Sequence, residues 1–414
     1  MADTYADKNS TRPIIVFGAF DRHNFGDMLF AHVIEHLLAE HRPGCEPIFA
    51  GLAARDLRRY GGHDVAALSV LASRWREAPA RIVHAGGELL TCDAWEAAVM
   101  LTEPQDTQAC IARHGARADD RMKWARSTLH TAALAPYLIG RETFPHAASV
   151  CANAVGGVTL DARDAAFRDE VVTKLRTLDD LSVRDTQTQA SLQAARIVAR
   201  LVPDPVSMVA ELFDARIRSH AGHDVVANVR RMFARGYLAV QFSADFGDDA
   251  TLAQLARQLD TLGASSGLGV ALFRAGAAPW HDDIGVYERL AARMRHRAVT
   301  VFNSLDIWNI CALIAESEGF AGSSLHGRIV AMAYGLPRIN VLHPDEGART
   351  GKQAAYAQTW DDSNLPAAVP INEAAAAMQV ALSADRDALS ARAVELARRY
   401  RAGVAPLMSM VFRG

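Results

Sequence analysis

Short apolar runs alternate with segments of helical periodicity along almost the whole chain, and this alternation constrains the fold more than any other feature. Ile14-Ile15-Val16-Phe17 predicts a buried strand, and from Asp27 onward apolar residues recur at helical spacing until Pro43. Strands that alternate with helices form parallel sheets whose two faces are covered by those helices. The sequence therefore predicts an α/β protein built on parallel sheets.

The alternating pattern fills two blocks, which are divided near the segment from Pro203-Asp204-Pro205 to Asp224, where the two prolines disfavour helix and fix a turn. At 414 residues the chain has the length of two domains. We predict two Rossmann-like domains, over residues 1–205 and 206–382, of which the second carries a phosphate site, and a helical segment over 383–414 that Ser383 caps. Two such domains in series face a cleft, and ligands of parallel sheets bind in the loops that follow the strands. Further strands are predicted at 47–49, 81–84, 147–152 and 180–183, and in the second block at 237–242, 269–273, 298–302, 319–321 and 338–342.

Charge and cysteine content exclude several classes of protein. The chain has 44 Lys+Arg against 47 Asp+Glu, a formal net charge of -3, whereas nucleic-acid binding requires a basic face. Five cysteines without a CxxC pair argue against a disulfide framework and a structural zinc site, and they suit a reducing cytoplasm. The first ten residues lack the order of a signal peptide, and no stretch approaches the ~18 apolar residues of a membrane helix. We expect a cytoplasmic protein that binds no nucleic acid.

Two loops after strands of the first block carry candidate substrate-binding residues. The loop over 18–27 ends where a helix begins, so its amides and the helix dipole can meet an anion or a sugar hydroxyl. Asn24 and Asp27 are its candidate contacts, and the structural alternative is that Asp27 caps the helix. Gly86 and Gly87 allow close approach of the backbone to a ligand, or only a sharp turn.

The segment from Ser323 to Arg328 is the most informative of the second block. Ser323 and Ser324 precede a predicted helix, whose free amides together with the two hydroxyls form a phosphate site. His326 lies in the first turn, and its reference pKa of ~6.5 lets it donate and accept protons near neutrality. The alternative is a capped helix with an incidental histidine.

Charged residues after other strands would add to the same cleft. Arg184 follows a predicted strand and can bind a carboxylate or phosphate bidentately. The alternatives are a surface pair of Arg184 with Asp185, or Asp185 as a plain helix cap. Arg349 and Lys352 add positive charge to the cleft or belong to a solvated loop. Asp283 is a candidate base or sugar ligand, or equally a helix cap.

One motif has metal-ligand spacing. His32-Val33-Ile34-Glu35-His36 matches the HxxEH pattern of inverted zincins, and helical spacing places both imidazoles on one face. No third ligand stands at a recognisable distance, so polar positions on an amphipathic helix are favoured and no metal is expected. The sequence lacks GxGxxG, Walker and GxSxG motifs, so it indicates neither a nucleotide site nor a serine hydrolase.

In their order along the chain, these motifs resemble the polysaccharide pyruvyltransferase family. The resemblance implies a two-domain fold similar to the GT-B glycosyltransferases. It also implies transfer of pyruvate from phosphoenolpyruvate onto two hydroxyls of a sugar, which forms a cyclic ketal and requires no metal or other cofactor. The matching pieces are Asn24-x-Gly26-Asp27, Gly86-Gly87, Ser182-Val183-Arg184-Asp185, Asp204-Pro205, Ser324-Leu325-His326-Gly327, Ala331 and Gly335-Leu336-Pro337, within about Ile14 to Lys352.

The resemblance also implies roles for individual residues. Arg184, His326 and the downstream Lys352 would contact phosphoenolpyruvate, whose phosphate site would lie in the C-terminal domain. From the chemistry of this reaction, we hypothesise that His326 is the general acid or neutralises the leaving phosphate. Asp27 or Asp283 would receive a hydroxyl proton. The N-terminal domain would hold the acceptor, a sugar or a lipid-linked oligosaccharide, and an amphipathic surface would allow peripheral membrane association.

Two other functions stay open at this point. A GT-B-like glycosyltransferase would bind a nucleotide sugar in the same cleft, with its diphosphate near the helix that follows Ser324. A non-catalytic carbohydrate-binding homologue would keep the fold without the chemistry, although the presence of Arg184 and His326 argues against it. The motifs do not identify the acceptor or the oligomeric state.

Overall fold

The computed structural model describes residues 12–345 and 351–413 and places their strands in two sheets. Arg349 lies outside the described residues. The strands of the eight-stranded first sheet are β1 (Ile14–Phe17), β2 (Ile48–Gly51), β3 (Arg55–Asp56), β4 (Asp64–Ala67), β5 (Arg81–His84), β6 (Ser149–Val155), β7 (Asp180–Val183) and β8 (Arg200–Leu201). Those of the six-stranded second sheet are β9 (Tyr237–Gln241), β10 (Gly269–Phe273), β11 (Val299–Phe302), β12 (Gly319–Gly322), β13 (Arg338–Leu342) and β14 (Ala368–Pro370).

Helices cover both sheets, and no described helix is long and apolar enough to cross a membrane. The helices up to the junction are α1 (Phe25–His41), α2 (Leu68–Arg74), α3 (Ala94–Met100), α4 (Pro104–His114), α5 (Ala118–Leu129), α6 (Ala165–Leu175) and α7 (Thr186–Ala194). They continue with α8 (Val209–Ala221), α9 (Asp224–Met232), α10 (Asp249–Ser266), α11 (Ile284–Arg293), α12 (Ile307–Ala315), α13 (Leu325–Ala333), α14 (Lys352–Trp360), α15 (Ala374–Leu382) and α16 (Arg386–Phe412).

Both sheets are parallel, apart from the short antiparallel pair β3–β4. The strand orders are β3-β4-β2-β1-β5-β6-β7-β8 and β11-β10-β9-β12-β13-β14. All residues of β1, β5 and β6 in the first sheet are buried, as are those of β9, β10 and β12 in the second. Helices on both faces of a parallel sheet bury its central strands completely, which explains why most of their residues are apolar. The predicted α/β class with two parallel sheets is confirmed.

Two predicted helix boundaries are wrong because a different side chain caps each helix. Helix α1 begins at Phe25 rather than Asp27, because the Asn24 side chain accepts hydrogen bonds from the next turn. Helix α16 begins at Arg386 and is capped by Asp385, whereas Ser383 ends α15. In each case the capping residue lies two or three residues away from the predicted one.

The last helix returns to the first sheet. Helix α16 contacts β6, β7 and α13, and the Tyr400 hydroxyl accepts a hydrogen bond of 2.8 Å from Asn153. A side chain at Gly403 would meet Val202 at 2.7 Å, so the helix lies directly against the chain that follows β8. Residues 386–412 therefore join the two halves of the molecule.

A buried cluster of ion pairs anchors α13 to the second sheet. Arg328 on α13 and Arg338 on β13 donate to the two oxygens of Asp361 at 2.6 and 2.5 Å. Burial of Asp361 opposes its ionisation, yet the two guanidinium groups lower its pKa to about 2. Helix α13 is thereby fixed in place, with its N-terminus at the carboxyl end of β12.

Candidate active site

A cleft of about 730 Å³ lies between the loops that follow strands of the two sheets. Its lining includes seven of the residues that the sequence indicates, namely Asn24, Asp27, Arg184, Ser323, Ser324, His326 and Lys352. Gly86, Gly87 and Asp283 are not part of that lining. The structure therefore brings together the two ends of the predicted site, Arg184 from the first half and His326 from the second.

Arg184 is 2% exposed, and two carboxylates each accept one hydrogen bond from its guanidinium. It donates to Asp204 at 3.0 Å and to Glu88 at 2.6 Å, and both raise the pKa of Arg184 against the effect of burial. The alternative of a surface pair with Asp185 is wrong, because Asp185 is buried. The other alternative is confirmed, since the Asp185 side chain caps α7. Arg184 is thus a fixed buried cation that orients two carboxylates.

Asp204 connects this cation to His326. The Asp204 Oδ2 lies 3.8 Å from His326 Nε2, while Oδ1 accepts a hydrogen bond of 2.9 Å from the Val206 amide. Burial opposes the ionisation of Asp204, but His326 and Arg184 together hold its pKa below the usual value. Within the described residues, His326 Nε2 is buried and has no hydrogen-bond partner. An ionised carboxylate therefore faces the imidazole.

The His326 ring rests on the first turn of α1. A Cβ atom at Gly26 would lie 2.0 Å from both Cγ and Nδ1 of His326, so any side chain there would occupy the space of the imidazole. Phe25 and Phe30 approach the ring edge-on, with centroid distances of 6.4 and 5.1 Å. The glycine of the Asn24-x-Gly26-Asp27 motif is explained by this contact between the two halves of the molecule.

Gly86 and Gly87 support this arrangement from beneath the cleft. Their φ angles of 132° and 104° lie in the left-handed region, which side chains rarely adopt. A Cβ atom at either position would contact the Phe30 ring at 3.3 Å, and Phe30 in turn contacts His326. The structure therefore places these glycines behind the imidazole instead of against a ligand.

Three predicted substrate contacts already have structural hydrogen bonds. Asn24 caps α1, Ser324 caps α13 by accepting from the Gly327 amide at 3.1 Å, and Ser323 accepts from the Ser243 amide at 2.9 Å. Their side chains line the cleft nonetheless. The free amides in the first turn of α13 remain available for an anion.

Two cations from different halves of the molecule approach one imidazole. Arg22 donates to the Tyr137 hydroxyl at 2.7 Å, and its Nε is buried with no partner in the described part of the chain. Lys352 is exposed and lines the same cleft. Burial lowers the pKa of His281, and the charges of Arg22 and Lys352 lower it further, to about 3. This imidazole is therefore neutral. Arg22 is a site residue whose only sequence signal is its position in the loop over 18–27.

The carboxylates of the cleft differ from the prediction at one position. Asp283 is exposed and caps α11 by accepting from the Gly285 amide, whereas the preceding Asp282 lines the cleft. Burial raises the pKa of Asp282 to about 6, and Gln241 donates to it at 2.9 Å. Asp27 is buried in the cleft wall with Oδ2 3.7 Å from Arg22. Adjacent aspartates cannot be told apart by sequence pattern alone.

An aromatic surface stands on one side of the cleft and gives no signal in the sequence. Trp280 lines the cleft, is 43% exposed and has a φ of 63°, an unusual conformation for a bulky residue. Trp95 of α3 lies across from it with a ring-centroid distance of 6.3 Å. Such strain costs about 1–3 kcal/mol and persists where the surroundings or function require it.

The loop over 18–27 is hydrogen-bonded to the second half of the molecule. His23 Nδ1 accepts from the Ala277 amide at 3.1 Å, and its Nε2 lies 2.7 Å from the Leu305 carbonyl oxygen. The Phe25 amide donates to the Ala275 carbonyl at 2.9 Å. These bonds join the two halves at the floor of the cleft.

Two parallel-sheet units with a polar cleft between them define a GT-B-like protein. The chain belongs to the polysaccharide pyruvyl transferase family, whose model matches residues 24–345 and confirms the resemblance drawn from the motifs. It is accordingly a transferase of polysaccharide biosynthesis. No curated protein matches the chain.

Solved structures with the same fold are distant in sequence. MnaA from S. aureus with UDP has a TM-score of 0.53 at 10% identity, covering 95% of this chain and 93% of that chain. The UDP-N-acetylglucosamine 2-epimerase from Rickettsia bellii has a TM-score of 0.51 at 10% identity, covering 97% of each chain. That from Neisseria meningitidis, bound to UDP-GlcNAc, has a TM-score of 0.50 at 8% identity, covering 97% and 100%.

The contact between Gly26 and His326 leads to a first prediction. Gly26→Ala forces the imidazole or α1 to move, and we expect a loss of about 1–3 kcal/mol in the free energy of unfolding, as for other overpacked cores. Gly285→Ala is the matched control, since its Cβ meets nothing closer than 3.4 Å. Urea unfolding measures both. Equal stability of the two variants would contradict the contact.

Proposed function

We propose that this transferase moves pyruvate from phosphoenolpyruvate to two hydroxyls of a sugar and forms a cyclic ketal. The observation that carries the proposal is the imidazole of His326, which faces the ionised Asp204 in a cleft that also contains Arg22 and Lys352. Membership of the polysaccharide pyruvyl transferase family supports the same reaction.

The donor subsite lies between Lys352, Arg22 and the N-terminus of α13. Phosphoenolpyruvate carries a phosphate and a carboxylate, which require cations and amide donors. Arg22 and Lys352 both act on His281, so their charges reach a common region of the cleft. Arg184 is held by Glu88 and Asp204, and in this proposal it acts on the donor through Asp204 and His326 instead of by direct contact.

The reaction begins with proton transfer from the His326 imidazolium to the methylene carbon of phosphoenolpyruvate. The double bond is consumed, and the adjacent carbon becomes an oxocarbenium-like centre. A sugar hydroxyl attacks this centre and gives its proton to a base. The carbon–oxygen bond to phosphate then breaks, and a second hydroxyl closes the ketal. One hydroxyl proton replaces that lost by His326, and the other leaves with inorganic phosphate.

Asp27 is the proposed base for the sugar hydroxyl. It lines the cleft, is buried beside Arg22 and belongs to the same helix turn that contacts His326. Asp283 is not assigned this role, because its carboxylate caps α11 outside the cleft lining. Ionised Asp204 next to His326 stabilises the imidazolium before proton transfer.

The acceptor stacks against Trp280 in this proposal. The apolar face of a pyranose ring fits an exposed indole, and the nearby Glu96 and Arg163 offer hydrogen-bonding groups from the opposite wall. The same cleft supports one alternative, a glycosyltransferase that uses a nucleotide sugar, because structures of the same fold bind UDP or UDP-GlcNAc. Donor binding distinguishes the two reactions.

Thermal unfolding with and without phosphoenolpyruvate tests the donor. A ligand at roughly 100 times its Kd stabilises the folded protein by about 2.7 kcal/mol, so we expect a clear rise in Tm. Lys352→Ala should lose most of this rise, while Lys123→Ala, an exposed lysine outside the cleft, keeps it. A rise with UDP and none with phosphoenolpyruvate would establish the alternative.

The role of His326 is tested by turnover. We expect His326→Ala to lower kcat by about 10²–10⁴-fold, the contribution of a positioned acid, while the Tm rise with phosphoenolpyruvate remains. The exposed His146→Ala serves as the control. The assay measures phosphate released from phosphoenolpyruvate with p-nitrophenyl β-glycosides of galactose, glucose, mannose and N-acetylglucosamine. Turnover of His326→Ala close to wild type excludes the assignment.

Trp280→Gly tests the acceptor subsite. Glycine adopts the φ of 63° without strain, so we expect no loss of Tm, while the KM for the accepted glycoside rises about 3–10-fold. The KM for phosphoenolpyruvate should stay unchanged. A Tm and an acceptor KM that both match wild type would show that Trp280 does not contact the sugar.

A further inference from the structure

A cluster of two histidines and one glutamate lies outside the cleft. One ligand atom from each of His32, Glu35 and His63 lies within 4.8 Å of the others. His63 Nε2 is 3.1 Å from Glu35 Oε2, and His32 Nδ1 is 3.8 Å from the same oxygen. We propose that these three side chains bind one divalent transition-metal ion of the zinc type.

The hydrogen bonding of His32 prepares it as a ligand. Its Nε2 lies 2.7 Å from the Gly61 carbonyl oxygen, which only accepts, so Nε2 carries the hydrogen and Nδ1 holds a free electron pair toward Glu35. Metal-binding histidines nearly always donate their second N–H to such a carbonyl. His32 thus presents Nδ1 to an ion in the orientation that a metal ligand needs.

The surroundings give the cluster closed walls and one open side. The His63 ring lies 3.9 Å from the Phe49 ring, and the His32 ring lies 4.8 Å from that of Trp308. The Glu35 side chain is 44% exposed, so an ion can enter along it and a water can complete the coordination. Two imidazoles and one carboxylate are the ligand set of zinc, whereas magnesium and calcium prefer oxygen ligands alone.

The third ligand is not the one that the HxxEH motif indicates. His36 lies on the outer side of α1, with Nε2 3.3 Å from Glu40. His63 takes its place, from the segment that precedes β4. The motif thus supplies two ligands, and the fold supplies the third from a segment that sequence spacing cannot connect to it.

The charge balance and the position of the cluster indicate a structural role. The Arg216 guanidinium lies 4.0 Å from the centre of the Trp308 ring, and its positive charge opposes the binding of a metal ion at the cluster. The negative charge of the Glu35 carboxylate offsets that of Arg216. A side chain at Gly61 would meet Trp308 of α12 at 2.7 Å, so this segment lies where the two halves of the molecule touch. A metal ion would tie α1 to the Gly61–His63 segment at that junction.

Isothermal titration with ZnCl₂ tests the site in full-length protein that has been stripped with EDTA and carries no affinity tag. We expect one equivalent of zinc to bind and to raise Tm, and Mg²⁺ at the same concentration to do neither. His63→Ala and the half-exposed Glu35→Gln should weaken zinc binding by at least about tenfold. His36→Ala, the control from the same helix, should bind as the wild type does.

Four results would overturn the site. They are no zinc binding by the wild-type protein, unchanged binding in both His63→Ala and Glu35→Gln, an equal loss in His36→Ala, and equal binding of Mg²⁺. Glu35→Gln decides the matter if His63→Ala fails to fold. Because no residue of the cluster lines the cleft, none of these results depends on the outcome of the phosphoenolpyruvate experiments.

Discussion

The centre of the molecule depends on one interaction, the pairing of the buried Arg184 guanidinium with two carboxylates. A guanidinium removed from water is tolerated only when carboxylates compensate it, and loss of one partner of a buried pair costs about 3–5 kcal/mol. Glu88 follows β5, Asp204 follows β8, and Arg184 itself follows β7. The pairing therefore gathers three strand ends at one point, and Asp204 extends this order to His326 on the other side of the cleft.

Because Arg184 is paired with carboxylates, the other cations of the cleft differ from it in what they can bind. Arg22 and Lys352, one from each half of the molecule, line the cleft, and Lys352 is exposed there. The charges of both cations act on the neutral imidazole of His281. The first turn of α13 adds amide groups that can donate hydrogen bonds to an anion. In the proposed reaction, Arg184 therefore positions the acid His326 through Asp204, and Arg22 and Lys352 bind the anionic donor.

The sequence predicts the parts of the fold that are encoded locally. Strands such as 81–84 and 269–273 agree with the structure at both ends, because each contains the short apolar run that is typical of a buried strand. The two-residue strands β3 and β8 carry too little pattern to be recognised. The polar helices α4 and α5, over 104–129, bury few residues and leave no strong apolar stripe.

In the candidate site, too, the sequence predicts the residues that have a local signal and misses the contacts between distant segments. Asn24, Asp27 and His326 are found from the sequence because each lies at a strand-to-helix turn, where ligands of parallel sheets bind. The pairing of Arg184 with Glu88, the contact of Gly26 with His326 and the approach of Trp95 to Trp280 join distant segments. Such contacts depend on tertiary packing, which residue spacing does not encode.

The hydrogen bonds of His23 have a consequence for the size of acceptor that the enzyme can accept. Both ring nitrogens of His23 contact the second half of the molecule, so a widening of the cleft at its floor would break these bonds together. Only a rotation of the halves about this point would change the width of the entrance and leave these bonds intact. For the proposed sugar acceptor, the end of a long glycan would then reach His326 while the remainder of the polymer lies outside the protein.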